Sequence, residues 1–505
     1  MLTLYIGFTV LVSFVFYIHL KTYLVRRRLN HIPTFPLPFS WSWYFGHTPI
    51  IQKKRLELGE ARGHDFALVF EALRQELGNV DTYVLFIFGG SMVYTLQIPI
   101  IARVFSDHKT FMKRKPEETG LCYVNGVRVF GHNGMLTDPG TERWYHKRKM
   151  MDPAFQKKFL RILMSDITKS AENMCRYLDD HRDQKTFDIY NLMNRVALEI
   201  VCSCGFDLKD DFILNEDSRL NKAVTTAFDV LAIASLHFFD FWLPWRFRSE
   251  KQSIKDSMGL LRGLMREHLT VRLDKISKDP DGISNDILDH IIRGNMDGSE
   301  TSMEDIIDDF FVFMVAGMET TAITMSVLVW ILLKHPEISR KVVKEVNEVY
   351  GDKEELDYDD LNKLVYLEQC IKECLRTHPP AQMTSRVNPG GDVTVEGLFI
   401  PKDTIIMLPT QAVQHLEEYW PEPYKFDPDR FAPGKKIEPF TYFPFTAGPR
   451  ICIGKHFAVM EAKVVLAKLY RTFEFYDPYP EEKELEKVTS LTAKPRNGVH
   501  VGIVN

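Results

Sequence analysis

The sequence has little cysteine, and its cysteines do not form metal-binding or disulfide patterns. Seven occur in 505 residues, at positions 122, 175, 202, 204, 370, 374 and 452, with no C-x-x-C pair. This spacing excludes a zinc ribbon or a disulfide-stabilised secreted chain and suits a reducing compartment. The formal net charge is only −5, and we find no nucleic-acid motif and no internal repeat. We therefore expect no nucleic-acid partner.

The N-terminus lacks charge altogether: residues 1–20 contain no Asp, Glu, Lys or Arg. As a helix, such a stretch spans about 30 Å, the thickness of a bilayer core. The basic residues that follow lie in the cytosol by the positive-inside rule. We predict a transmembrane anchor over residues 1–20 and a basic, proline-rich linker over residues 21–43. A cleaved signal peptide is the alternative, but it requires a basic n-region and a small-residue cleavage site, and neither is obvious here.

The remainder, residues 44–505, shows mainly helical periodicity and few strand signals. The strand candidates are Val80–Ile87, Ser91–Leu96, Val393–Val395, Thr404–Leu408 and Val499–Ile503. We predict one mainly α domain with a small β portion.

One cysteine lies in an unusual setting, in the stretch FTAGPRICIGKHFAVMEAK. Cys452 comes just before a helical pattern, and a helix N-terminus stabilises a thiolate. Gly448 and Gly454 permit close approach of a flat group to the backbone, and Arg450 supplies a cation. A thiolate, a close-approach loop and an anion-binding arginine suit a haem iron with propionate arms. The alternative is a small buried hydrophobe, as free cysteines usually are.

The positions Phe445, Gly448, Arg450, Cys452 and Gly454 resemble the haem-thiolate loop of the cytochrome P-450 family. The resemblance covers the chain from Tyr44 to its end. It implies the cytochrome P-450 fold, haem b (iron protoporphyrin IX) as cofactor, and Cys452 as the axial iron ligand.

A long apolar helix is predicted where the sequence reads SMEDIIDDFFVFMVAGMETTAITMSVLVWILLKHP, with Thr301 and Glu304 as a capping box and Pro336 at its end. Gly317 and Glu319 inside it are unfavourable for stability, which indicates a functional site.

Around Gly317 the residues resemble the oxygen-activation motif of the family. The resemblance implies that Thr320 and Glu319 deliver protons and that the small Ala316 and Gly317 leave room for oxygen. The alternative is a kinked helix with a back-bonded threonine.

The same resemblance implies further residues of the haem site and of its structural support. Trp144 and Arg148, at i and i+4, and Arg386 are expected with Arg450 at the haem propionates. Glu373 and Arg376, at i and i+3, are expected to form a structural ion network with Arg430.

Basic residues flank both the Trp144 helix and the Cys452 loop, and we expect them to form a surface that attracts an acidic electron donor. They are Arg143, His146, Lys147, Arg148, Lys149, Lys157, Lys158, Lys455, His456 and Lys463. The resemblance implies the NADPH–cytochrome P-450 reductase of the membrane as that donor, and the endoplasmic reticulum as the membrane, with the catalytic domain in the cytosol.

Segments that the family uses for substrate look apolar here, including Thr226–Trp245 and Ser490–Lys494, so we expect a lipophilic substrate. The likeness is greatest to the cholesterol 24-hydroxylases, which implies hydroxylation of a sterol such as cholesterol. Fatty-acid omega-hydroxylases are the alternative; many of them carry a glutamate where this chain has Ala316. Two other classes also stay open: a haem-thiolate isomerase or dehydratase, and a haem- or sterol-binding protein without turnover.

Overall fold

The computed structural model describes residues 23–36, 46–87, 90–114, 123–124, 127–132, 134–140, 142–215, 218–236, 245–279, 286–296 and 302–504, with a few isolated residues elsewhere. The predicted anchor over residues 1–20 lies outside these ranges. Within them, one helix is long and apolar enough to cross a membrane, Met303–Lys334. Its most apolar window is 83% buried inside the chain, as in the core helix of a globular domain.

Fifteen helices are labelled here in chain order. They are α1 (Thr48–Glu57), α2 (Gly59–Arg62), α3 (Phe66–Glu76), α4 (Ile98–Ser106), α5 (Glu142–Met151), α6 (Lys157–Asp180), α7 (Ile189–Phe206), α8 (Arg219–Leu236), α9 (Arg248–Lys278), α10 (Ile287–Met296), α11 (Met303–Lys334), α12 (Pro336–Tyr350), α13 (Val365–Thr377), α14 (Thr410–Val413) and α15 (Lys455–Thr472).

The strands are short. They are β1 (Thr82–Ile87), β2 (Gly90–Thr95), β3 (Tyr123–Val124), β4 (Val127–Arg128), β5 (Phe187–Asp188), β6 (Thr384–Val387), β7 (Val393–Val395), β8 (Leu398–Ile400), β9 (Ile405–Leu408), β10 (Phe475–Tyr476), β11 (Lys487–Thr489), β12 (Ala493–Pro495) and β13 (His500–Ile503). All five predicted strands are present, with ends that differ by at most two residues. The mainly α architecture with a small β portion is confirmed.

The first of two compact units contains Met1–Arg114, Gln382–Pro423 and Ile437–Ile451. Its four-stranded sheet has the order β1-β2-β9-β6, with β2 and β9 parallel and the other pairs antiparallel. One face of this sheet packs with α3 and α4 in an apolar core that includes Tyr83, Tyr94 and Phe105. The hairpin of β7 and β8 completes the sheet structure of this unit.

The second unit contains Lys115–Ala381, Tyr424–Lys436 and Cys452–Asn505. It holds helices α5 to α13 and α15, a three-stranded sheet of order β10-β13-β5, and the hairpin of β11 and β12. Helix α11 lies at its centre and packs against α7, α13, α15 and α10.

Helix α11 has 32 residues, which at 1.5 Å rise per residue gives a length of about 48 Å. Its N-cap is Ser302, whose hydroxyl accepts from the amide of Asp305 while the Asp305 carboxylate accepts from the amide of Ser302. The predicted capping box of Thr301 and Glu304 is therefore wrong by one residue, because Ser302 supplies the same chemistry next to it. The predicted stop is confirmed, since α11 ends at Lys334 and Pro336 begins α12.

Candidate active site

Three residues interrupt the burial of α11 in its middle. Between Asp305 and Val329 every residue of this helix is buried except Ala316, Gly317 and Thr320. Ala316 and Thr320 are four residues apart and Gly317 and Thr320 are three apart, so both are neighbours of Thr320 on the helix surface. The predicted oxygen-activation motif thus coincides with the one stretch in the middle of this helix that its neighbours leave accessible.

Thr320 and Glu319 have different environments in spite of being adjacent. The Thr320 hydroxyl donates to the carbonyl of Ala316 over 2.7 Å, which is the back-bonding that the sequence allowed as an alternative. Glu319 is buried and accepts a hydrogen bond of 2.6 Å from the hydroxyl of Thr492. Burial raises the pKa of Glu319, and the hydrogen bond from Thr492 opposes this rise. The contact with Thr492 was not predicted from the sequence, which indicated only that this residue belongs to a predicted substrate segment.

Gly317 has a packing role that the sequence did not reveal. A Cβ atom at this position would lie 2.9 Å from Cγ2 of Val201 on α7. The close approach of α7 to α11 therefore requires glycine at position 317. This packing role is separate from the room for oxygen that the resemblance implies.

Cys452 differs from the other cysteines of the described residues. Cys175, Cys202, Cys204, Cys370 and Cys374 are buried, whereas Cys452 is exposed. Burial raises the pKa of Cys175 to about 11 and also raises the pKa of the Cys204 thiol. Cys452 lies two residues before the N-cap of α15, Gly454, so it is placed where helix N–H groups stabilise a thiolate. A Cβ atom on Gly454 would come no closer than 3.9 Å to another atom, the Cys452 sulfur, so the backbone is open there.

The haem-loop role expected of Gly448 stays a prediction, and the structure adds a backbone contact that also requires glycine. Its φ is +69°, and a Cβ atom would lie 2.2 Å from the carbonyl oxygen of Phe105 at the end of α4. Gly448 is thus required by contact with another backbone within the first unit, together with a left-handed conformation that favours glycine. Phe445, three residues earlier, is half-buried.

Two of the predicted propionate arginines belong to the first unit. Arg386, on β6, is buried, and its Nη1 donates to the carbonyl of Ser385 over 2.8 Å. Its guanidinium lies over the ring of Phe105, and burial lowers its pKa to about 10. Arg450 ends the short 3-10 helix Gly448–Arg450, and its carbonyl accepts from the hydroxyl of Thr446 over 3.1 Å.

The other two predicted propionate residues, Trp144 and Arg148, lie on α5 in the second unit. Trp144 is buried and packs edge-to-face with Tyr145. The Nε of Arg148 donates to Asp152 over 2.6 Å, and its side chain is 18% exposed. Both residues occupy one side of α5, as their i, i+4 spacing requires.

The structure brings the three residues of the predicted ion network together. Arg376 donates to both oxygens of Glu373, over 2.7 Å and 2.8 Å, and both side chains are fully buried. The Nε of Arg430 lies 3.4 Å from Oε1 of Glu373. The same oxygen accepts from the amide of Asp427 over 2.9 Å, so the network ties α13 to the segment around residue 430.

Two lysines of the predicted basic surface are in fact interior. Lys147 is buried and donates to Asp309 over 2.5 Å. Lys463 is buried and donates to the carbonyl of Leu361 over 2.8 Å and to the carboxylate of Glu368. The prediction that these two lysines are exposed is wrong. A run of charged residues does not show which side of a helix is buried. The exposed members are Lys149, Lys157, Lys158, Lys455 and His456.

A second charged network was missed by the sequence analysis. Asp309 also accepts from the amide of Met135 over 2.6 Å. Asp308, one residue earlier and fully buried, accepts from Arg262 over 2.8 Å and from Arg128. A Cβ atom at Gly131 would fall 1.6 Å from Asp308. These contacts fasten the segment 128–135 and helix α9 to the first half of α11. The acidic residues near the start of the otherwise apolar α11, which include Asp308 and Asp309, were the sequence feature from which this network could have been predicted.

Two cavities in the second unit differ in chemistry. The larger, about 560 Å³, lies between segment 208–220 and α9, and its lining includes the charged residues Lys209, Asp210, Arg219 and Glu267. None of its lining residues belongs to the predicted site. The smaller cavity, about 20 Å³, adjoins α11 immediately before Ala316 and is lined by apolar side chains from segment 129–130, α8, α9 and α11. They are Val129, Phe130, Val224, Ala227, Phe228, Leu231, Met258, Leu261, Phe311, Met314 and Val315.

Comparison with known proteins identifies the class to which this chain belongs. The sequence pattern of the family "Cytochrome P450" matches residues 36–501. The chain belongs to the cytochrome P450 family and is a cytochrome P450 monooxygenase.

Its relatives are distant in sequence but similar in length. The chain is 27% identical to cytochrome P450 4F4 of Rattus norvegicus over 507 residues, which cover 95% of this chain and 91% of the relative. It is 28% identical to cytochrome P450 4d2 of Drosophila melanogaster, over 74% of this chain and 77% of the relative. It is 30% identical to cytochrome P450 3A6 of Oryctolagus cuniculus, over 70% and 74%. The fold is similar to the crystal structure of the cytochrome P450DA heme domain, with a TM-score of 0.78, 20% identity and coverage of 94% and 97%.

The family implies haem, and the residues present fit it. Within the second unit, Cys452 is exposed before a helix N-terminus, as a thiolate ligand would be. Within the first unit, Arg386 is a buried cation of the type that binds carboxylates. Ala316, Gly317 and Thr320 are the residues of the middle of α11 that its neighbours do not bury. The expected enzyme class and cofactor are thus confirmed at the level of the family.

Proposed function

We propose that this enzyme hydroxylates a neutral lipophilic substrate, in the first place a sterol such as cholesterol. The observation that carries this proposal is the apolar wall beside Val315: eleven apolar side chains line a void of about 20 Å³, which a bound substrate would have to widen by displacing them. Arg262 on α9 and Asp308 on α11, each within four residues along the chain of a lining residue, are bonded to each other. A carboxylate within this apolar wall would be buried without a counter-ion, which is unfavourable, so a fatty acid could enter it only by its hydrocarbon end.

When bound, haem ligated by a thiolate supplies the activation of dioxygen. Cys452 would hold the iron, and Arg450, Arg386, Arg148 and Trp144 would hold the propionates. Glu319 and Thr320 would hold and transfer protons at the accessible face of α11, and burial raises the pKa of Glu319 above its ordinary value, which favours the form that holds a proton. A haem-thiolate isomerase or dehydratase does not need proton delivery, and neither does a haem- or sterol-binding protein without turnover. The pair of Glu319 and Thr320 therefore favours a monooxygenase over both alternatives.

Electrons would come from NADPH through the membrane NADPH–cytochrome P-450 reductase. The exposed basic residues of the second unit, Lys149, Lys157, Lys158, Lys455 and His456, are the surface on which it would dock. Residues 1–20 would anchor the protein in the endoplasmic reticulum membrane, with residues 44–505 as the cytosolic domain.

The test uses the full-length protein in lipid nanodiscs with the reductase. The carbon-monoxide spectrum of the reduced protein should be of the thiolate type, and Cys452→Ala should abolish it. Panels of sterols and fatty acids are then compared by spectral binding and by mass spectrometry of products. Hydroxylated sterol is the expected product; turnover of fatty acids alone would contradict the proposal.

Two cavity-filling variants locate the substrate. Val315→Phe should weaken sterol binding at least tenfold, because it fills the apolar cavity beside Ala316. Overpacking costs about 1–3 kcal/mol of stability, so the folded fraction is measured in parallel. Leu264→Phe, which fills the larger cavity, is the matched control and should leave sterol binding unchanged. The opposite pattern would place the substrate in the larger cavity.

A further inference from the structure

A hairpin turn near the C-terminus reaches the central helix at its acidic residue. Strands β11 and β12 are joined by Ser490, Leu491 and Thr492. The turn is held by a hydrogen bond within itself, from the amide of Ser490 to the carbonyl of Thr492 over 3.0 Å, and by one from the amide of Ala493 to the carbonyl of Pro380 over 2.9 Å. The buried Thr492 hydroxyl is thereby fixed where it donates to Glu319 over 2.6 Å.

The next residues of the same hairpin lead towards solvent. The Nζ of Lys494 lies 3.5 Å from the carboxylate of Asp229 on α8. The exposed fraction of the side chain is 13% for Lys494 and 62% for Asp229, whereas Glu319 is almost fully buried. Burial thus falls stepwise from Glu319 to Asp229.

We propose that Thr492 is a positioning residue that holds the Glu319 carboxyl for proton transfer, and that the Lys494–Asp229 pair is where this carboxyl communicates with solvent. The inference rests on the proposed role of Glu319 and adds the residues that set its state.

The charges around Glu319 give this arrangement a distinctive electrostatic signature. Burial raises the pKa of Glu319; the hydrogen bond from Thr492 and the positive charge of Lys494 lower it, and the negative charge of Asp229 raises it. Tyr190 on α7 also faces Glu319, and burial raises the pKa of this phenol, so it is neutral. Removing Thr492 or Lys494 and removing Asp229 must therefore move the titration of Glu319 in opposite directions.

Infrared spectroscopy of the haem-loaded, full-length protein measures this titration directly. The carboxylic-acid band of Glu319 is identified as the band lost in Glu319→Gln, and its intensity is followed against pH. Thr492→Val should shift the midpoint upward by about one pH unit, since one hydrogen bond to a charged group is worth roughly that much. Lys494→Met should also shift it upward, and Asp229→Asn should shift it downward.

Matched variants separate positioning from general loss of structure. Thr492→Ser retains the hydroxyl and should titrate as the wild type. Thr324→Val removes a hydroxyl from the same helix, where it bonds the carbonyl of Thr320 over 2.9 Å, and should not move the band. Lys494→Met and Asp229→Asn keep the proposal testable if Thr492→Val does not fold.

In turnover with the reductase, Thr492→Val should lower the product formed per NADPH, and Thr492→Ser should restore it. An unmoved midpoint in Thr492→Val, or shifts of the same sign in Lys494→Met and Asp229→Asn, would overturn the inference. If the infrared shifts are found but no lipid is hydroxylated, the proposed function fails while the control of Glu319 stands.

Discussion

Arg376 and Glu373 share two hydrogen bonds in a fully buried position on α13, and Arg430 joins them from a distant part of the sequence. Residues at i and i+3 on an exposed helix form weak pairs, worth about 0–1 kcal/mol. Burial changes the consequence of losing one partner, because the remaining charge is left in a medium that cannot solvate it.

Glu373→Ala or Arg376→Ala is therefore expected to destabilise the second unit by about 3–5 kcal/mol and to yield little folded haem protein. Arg182→Ala is the matched control, since Arg182 and Asp179 also form an i, i+3 pair, but with side chains 43% and 56% exposed. It should change the free energy of unfolding by less than about 1 kcal/mol. Chemical unfolding and haem content measure both. Equal effects of the buried and exposed variants would contradict the role assigned to burial.

Gly317→Ala tests the contact between α11 and α7. Alanine raises helix propensity by about 1 kcal/mol, but its Cβ would lie 2.9 Å from Val201, so we expect net destabilisation of about 1–2 kcal/mol. Val201→Ala in the same chain should cancel the clash and give a favourable coupling energy in a double-mutant cycle. Gly263→Ala on α9, where a Cβ atom would meet nothing within 4 Å, should instead stabilise the protein. Additive effects at Gly317 and Val201 would disprove the contact.

Glu461→Gln should make stability less dependent on pH. Glu461 on α15 is buried, and neither carboxyl oxygen has a hydrogen-bond partner among the described residues, so burial raises its pKa well above the ordinary value. A carboxyl with a raised folded-state pKa gives full stability below its unfolded pKa of about 4.3, and this contribution is lost as pH rises towards the folded-state value.

The glutamine variant should thus match the wild type at about pH 4 and exceed it increasingly as the pH rises above the unfolded-state pKa. The melting temperature measured across this range checks the prediction. Glu348→Gln, at an exposed position on α12, serves as control and should follow the wild-type curve. A constant difference between the Glu461 variant and the wild type would show that the group does not titrate as described.

Charge reversal at the exposed basic surface should weaken the interaction with the reductase. Lys157→Glu with Lys158→Glu is expected to raise the KM for reductase several-fold at low salt, with little effect at high salt where the attraction is screened. Lys275→Glu with Lys278→Glu, two exposed positions at the end of α9, is the control. Steady-state kinetics at varied ionic strength measures the effect. An equal response of both double variants would indicate non-specific attraction.

Most of the fold was predictable from the sequence because its signals are local. A capping residue and a proline indicate where α11 begins and ends, and short runs of apolar and β-branched residues indicate the five predicted strands. Glu373 and Arg376 could be paired by helical spacing. Thr492 could not be paired with Glu319, because 173 residues separate them and no periodic pattern connects a turn to a helix.

The same limit explains the misplaced lysines. Trp144, Lys147 and Met151 are the buried residues of α5, and their spacing of three and four places them on one helical face. The charge run around Lys147 concealed this apolar face. Its partner, Asp309, lies 162 residues away, so the burial of a lysine could not be inferred from the sequence alone.

Thr320→Ala tests whether the accessible face of α11 transfers protons. The only hydrogen bond that the structure describes for the Thr320 hydroxyl is the one to the Ala316 carbonyl, so its loss should leave fold, haem and substrate binding intact. If Thr320 delivers protons, NADPH is still oxidised but hydrogen peroxide replaces hydroxylated product, and the assisted step slows by about 10²–10⁴-fold.

Thr324→Ala removes the same kind of back-bonded hydroxyl from a buried position one turn later and should remain coupled. Product, peroxide and NADPH are measured together. If the two variants behave alike, the Thr320 hydroxyl has only the helical role that its bond to Ala316 describes, and proton transfer must be assigned to Glu319 or Thr321.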